Sequence, residues 1–278
     1  QDTPSSQEDL EKIPMLELSD IKREPAKDYN DVKSVDGIKI VHHNIFTNKI
    51  AYINMSFDTK CVPDELIPYM GLLGSTLSLM DTKNYTYPEL TNEININCGG
   101  LATGTALYSD KVDFSKNTIV YEVKSKALYE KVPFVLGMME EIMYNTRFDD
   151  YKRLKEIIAR IKSRLEASLM GQGHSIAMLE CCAQFSESAY YSDILRGYKY
   201  YEFIKKLDEE FEQNKTQIVD KLNKLVGYIF NKDNVIVSLT ADDEGYDCFV
   251  KALSAKSCNI KDEHYNTAVR SFIPVNVK

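Results

Sequence analysis

The chain has 278 residues, 44% of them hydrophobic and 27% charged, with a formal net charge of −8. A chain this long buries roughly three quarters of the surface that its unfolded form exposes, so it needs no disulfide or metal staple. The acidic balance argues against nucleic acid as a partner, because phosphate binding needs a basic face. It suits either a cationic peptide or plain solubility, and no apolar run is long enough to span a membrane.

Residues 1–35 are polar and broken by Pro4, Pro14 and Pro25. They read as a linker or extended arm whose one sticky part is IPMLELSDI (13–21), and residues 36–278 read as a single domain. Gly37 opens two strands, GIKIVHHNIF (37–46) and NKIAYINMSFDT (48–59), joined by a short turn at Thr47–Asn48. In the second, Ala51, Ile53, Met55 and Phe57 alternate with Tyr52, Asn54 and Ser56, the pattern of a half-buried strand. Pro63 and Asp64 start a helix expected to run to Met80. A second helix covers 87–97, with Thr86 as N-cap and Glu89 closing a capping box. It stops at Gly99–Gly100, and strands follow over 101–109 and 117–125.

Residues 127–145 read as a helix, and Asp149–Asp150 cap another. The latter has Leu154, Ile157, Ile158, Ile161, Leu165 and Leu169 on one stripe. Its other face carries Lys152, Arg153, Lys155, Arg160, Lys162 and Arg164, and Glu156 precedes Arg160 by four residues, a favourable helical pair. That basic face is either solvated or in touch with a partner domain. GQGHS (171–175) interrupts the helix, and helices then continue to Phe230. NVIVSLTA (234–241) is a final strand, followed by a helix near Gly245–Ala255. The order predicts an α+β fold, a largely antiparallel sheet with helices packed on it.

Few side chains offer chemistry. There are four histidines, His42, His43, His174 and His264, and no HxxEH or HxxxH spacing. His42 and His43 are strand neighbours and point to opposite faces, so they do not share a metal. His174 lies in a glycine-flanked turn, as a base or anion contact at a helix N-terminus or as a plain cap. Six cysteines without a CxxC pair read as reduced thiols of a reducing, cytoplasmic compartment, with Cys181–Cys182 a buried pair. No GxSxG elbow or phosphate loop occurs. The chain starts at Gln1 and ends on the strand-like SFIPVNVK, and both ends read as cuts in a longer polypeptide.

Several segments carry a resemblance. SQEDLEKIPMLELSDI (6–21), HHNIFTNKIAYINMSFD (42–58), NYTYPELTNEININCGGLATGT (84–105), GQGHSIAML (171–179) and ADDEGY (241–246) resemble, in order, the pitrilysin/insulinase superfamily of zinc peptidases, in its presequence-protease branch. The resemblance is to the third domain, at the start of the C-terminal half. It implies a metallohydrolase fold of the LuxS and mitochondrial-processing-peptidase type that lacks the metal site. The first domain of such enzymes carries HxxEH on the equivalent helix, and sliding that pattern onto LLGSTLSLMDTKNY places its ligands at Leu72, Ser75 and Thr76. None of the three replaces His or Glu. The resemblance therefore implies no catalytic or metal-binding residue in this chain, which alone is expected to be inactive. Zinc belongs to the full-length protein. The implied partners are unfolded peptide substrates and the remaining domains of the same polypeptide. The alternatives are a stand-alone scaffold module of the same fold, and a hydrolase built on His174 or a cysteine.

Overall fold

The computed structural model describes residues 4, 6–24, 30–113, 116–255, 258–270 and 272–274. Pro25, Ser271 and residues 275–278 of the closing segment lie outside them; Phe272–Pro274, inside them, form no strand. The strands are β1 (Asp31–Val35), β2 (Ile38–Asn44), β3 (Ile50–Asp58), β4 (Leu101–Ser109), β5 (Asn117–Leu128) and β6 (Val235–Ala241). They form one six-stranded sheet in the order β1-β2-β6-β3-β5-β4. Every pairing is antiparallel except that of β2 with β6. The fold is therefore α+β with a largely antiparallel sheet, as the sequence predicts.

The helices are α1 (Gln7–Glu11), α2 (Ile67–Thr76), α3 (Tyr87–Asn97), α4 (Val132–Tyr144), α5 (Tyr151–Gly171), α6 (Gly173–Cys182), α7 (Glu187–Arg196), α8 (Tyr198–Glu209), α9 (Phe211–Ile229) and α10 (Asp243–Ser254). Ala51, Ile53, Met55 and Phe57 of β3 are all buried beneath them. Val235, Val237, Leu239 and Ala241 of β6 are buried too, while Tyr52, Ile236 and Tyr108 are exposed on the sheet. Thr86 and Glu89 form the expected capping box of α3.

Four boundaries differ from the sequence reading. The sheet begins at Asp31, inside the expected arm, because Asp36 and Gly37 both take positive φ (50° and 81°) and turn β1 back onto β2. β5 runs on to Leu128, since Ala127 and Leu128 pair with Ala51 and Ile50, and Pro133 then sets the start of α4. α2 ends at Thr76 rather than Met80: the Thr76 hydroxyl donates to the Leu73 carbonyl at 3.0 Å, and both Leu79 N and Met80 N turn in on the Thr76 carbonyl. The expected buried cysteine pair is not buried, since α6 has no buried residue, Cys181 is exposed and Cys182 half-buried.

Candidate functional site

α2 packs against β4, α5, α7 and α9, so it lies at the centre of the helical layer. Two glycines one turn apart permit this. A Cβ on Gly71 would fall 2.8 Å from the Tyr200 ring and 2.9 Å from the Leu195 carbonyl, and one on Gly74 would fall 3.2 Å from the Gly104 Cα. The Thr103 hydroxyl ties β4 to the helix by donating to the Gly74 carbonyl at 3.1 Å. Leu72 and Thr76 are fully buried. The Ser75 hydroxyl is half-buried and faces its own helix, 3.4 Å from the Gly71 carbonyl. These three positions do not fit a zinc ion. Leucine offers no lone pair, and both hydroxyls spend their protons on helix carbonyls.

The turn after α2 is held from α4. The buried Glu141 carboxylate accepts from Asn84 N at 3.0 Å, Asn84 Nδ2 at 2.8 Å and Asn145 Nδ2 at 2.7 Å. Burial pushes this carboxyl up, but the hydrogen bonds from Thr82, Asn145 and Asn84 outweigh it and hold the group below its ordinary value.

Beside α2 opens a cavity of about 530 Å³, floored by Gly71, Gly74 and Gly104 and rimmed by Arg160, Arg164 and Arg196. Tyr200 forms part of its wall. Burial pushes the Tyr200 phenol up, with the Arg164 charge acting against it. Tyr200 is placed by the junction of α7 and α8, where the buried Asp193 carboxylate accepts from Lys199 N at 3.2 Å.

The basic face of α5 is not one solvated surface. The Arg153 guanidinium lies 4.0 Å from the Tyr87 ring centre and donates to the Leu79 carbonyl at 3.0 Å. Lys155 pairs with Glu212 at 2.8 Å and Lys162 with Asp208 at 2.7 Å. Glu156 pairs with Arg153 at 3.4 Å, not with Arg160 as its spacing suggested.

The histidines do not converge. His42 is buried, donates from Nε2 to the Ala241 carbonyl at 2.9 Å and stacks on Tyr246 at 4.7 Å. His43, on the opposite face, contacts the Ser238 hydroxyl at 3.1 Å. His174 is exposed at the start of α6. His264 binds Asp233, and this hydrogen bond raises its pKa. Among the described residues, Asp233, Asp262 and His264 place ligand atoms within 4.8 Å of one another, all three exposed. Of the cysteines, Cys61 and Cys258 are buried, and burial pushes the Cys258 thiol up to about 12.

A family model for peptidase M-16C associated domains matches residues 1–207. This chain belongs to that family. It is a C-terminal-half domain of the pitrilysin type. It is 37% identical over 271 residues to "Protein HypA" of Clostridium perfringens, covering 96% of this chain and 28% of the relative. It is 28% identical over 243 residues to "Presequence protease 1, chloroplastic/mitochondrial" of Arabidopsis thaliana, covering 87% of this chain and 22% of that protein. The chain thus spans about a quarter of the curated relatives it matches. In fold it resembles a conserved protein from Enterococcus faecalis, with a TM-score of 0.58 at 11% identity over 85% of this chain and 54% of the other.

Sequence reasoning placed α2 but missed the cavity. Arg160 and Arg164 were visible as one face of α5, while Arg196 arrives from α7, and no local spacing links the two helices.

Proposed function

We propose that this chain is a non-catalytic domain of a zinc metalloendopeptidase that degrades unfolded peptides in an enclosed chamber, and that it forms part of the chamber wall. The observation that carries this reading is α2. In the sister domain the resemblance assigns this helix to HxxEH; here the corresponding positions are Leu72, Ser75 and Thr76, turned to core packing and to the helix's own carbonyls. The hydrolytic chemistry and the zinc belong to another part of the same polypeptide, consistent with the chain spanning 28% and 22% of its relatives. Residues before Asp31 serve as the arm from the connection between the halves. The exposed Tyr52, Tyr108 and Ile236 of the sheet offer apolar area for the remaining domains to cover.

Hydrogen exchange tests the wall assignment. The complete polypeptide, inactivated at its zinc glutamate, is compared with and without an unfolded peptide. Amides of this chain should exchange more slowly when peptide is present. Unchanged exchange throughout the chain would overturn the assignment and favour a scaffold module.

A further inference from the structure

We propose that the arginine-rimmed cavity beside α2 is a carboxylate-binding site, which takes an acidic side chain or the C-terminal carboxylate of a bound peptide. This rests on the peptide-facing reading above.

The charge balance of the cavity is opposite to that of the chain. The sequence holds 42 acidic residues against 34 lysines and arginines, yet the cavity is lined by three arginines and by no Asp or Glu. Neighbouring cations of α5 are neutralised within the fold: Lys155 by Glu212, Lys162 by Asp208 and Arg153 by Glu156. Among the described residues no ion pair engages Arg160, Arg164 or Arg196. The side-chain contact of Arg196 is the Ser192 hydroxyl at 3.4 Å. Arg160 and Arg164 also stand one helical turn apart, a like-charge arrangement that disfavours the helix until an anion lies between them.

The rest of the cavity suits such an anion. Gly71, Gly74 and Gly104 leave the floor without side chains. Tyr200 is 4% exposed, and its hydroxyl is buried with no hydrogen-bond partner. It is a spare donor in the wall of a cationic cavity, where a carboxylate oxygen can accept. Guanidinium groups meet carboxylates through paired, charge-assisted hydrogen bonds. The cavity also abuts the C-terminal end of α7 at Leu195 and Arg196. That end carries the negative pole of the helix, which favours a singly charged carboxylate over a phosphate dianion.

The test measures binding, not cleavage, so its failure leaves the wall assignment standing. A fluorescent, unfolded peptide rich in Glu is titrated by anisotropy against this chain. R160Q/R164Q/R196Q should weaken binding by about tenfold or more. A variant with equal charge removed elsewhere, K152Q/K155Q/K205Q, should weaken it by less than about threefold. Selective loss with a Gln-for-Glu peptide assigns the site to acidic side chains, and selective loss with a C-terminally amidated peptide assigns it to the chain end. Loss with neither overturns the proposal, as does equal weakening by the two variants. Displacement by inorganic phosphate at lower concentration than acetate overturns the preference for carboxylate. In the unaltered chain, the Tyr200 ring resonances should shift when the acidic peptide binds. Unmoved resonances would also overturn the proposal.

Discussion

Leu72→Ala separates a core helix from a site helix. Leu72 is fully buried at the centre of α2, with β4 on one side and α5, α7 and α9 around it. Removing three side-chain carbons forfeits the transfer free energy and leaves a cavity, and Leu→Ala changes in rigid cores cost about 2.7–5.0 kcal/mol. The helix cannot settle toward β4, because Gly74 already lies against Gly104 and a mere Cβ there would meet its Cα at 3.2 Å. The loss should therefore fall near about 3–4 kcal/mol, a large fraction of a typical total of roughly 5–15 kcal/mol. Urea unfolding followed by circular dichroism reads this as a lower midpoint at unchanged slope. Ser75→Ala removes only a half-buried hydroxyl with a long 3.4 Å contact to its own helix, and should change stability by less than about 0.5 kcal/mol. A cost below about 1 kcal/mol for Leu72→Ala, or a larger cost for Ser75→Ala, would refute the assignment of α2 to the core.

Glu141→Gln should destabilise the chain by roughly 1–2 kcal/mol at pH 7, through weaker bonds to Asn84 and Asn145. The Glu141 carboxyl is held below its ordinary 4.5, so its contribution is full above that value and is lost as pH falls through the folded value. The difference between the two proteins in urea unfolding should shrink on acidification, and a pH-independent difference would contradict the reasoning. Thr86→Ala should cost about 1 kcal/mol by removing the capping box of α3, again read by urea unfolding; no loss would mean that the cap is not formed in solution. Iodoacetamide with peptide mapping should modify exposed Cys181 first and Cys258 last, because burial raises the Cys258 thiol to about 12. Rapid labelling of Cys258 would show that its surroundings open.

The parts of the fold legible in the sequence are those fixed by near neighbours. The alternation of β3 and the Thr86–Glu89 capping box each involve residues two or three apart, and both appear as read. β1 carried a local signal of the same kind, Asp36–Gly37 between two apolar runs, but the polar character of the preceding residues masked it. β6 enters the sheet between β2 and β3, strands almost 200 residues earlier, and no periodicity encodes that insertion. The basic face of α5 was visible as a face, yet its meaning depends on Glu212 and Asp208, which lie about 50 residues on and neutralise two lysines while leaving Arg160 and Arg164 to the cavity. The Cys181–Cys182 pair was misread because cysteine is usually buried, and α6 presents no buried face at all.

The most direct test of the central claim is bound zinc and peptide hydrolysis measured together on this chain and on the complete polypeptide that carries it. The expected result is a zinc-loaded, active complete polypeptide beside a chain that neither retains zinc nor cleaves an unfolded peptide. Hydrolysis by the isolated chain, or a complete polypeptide without zinc and without activity, would contradict it.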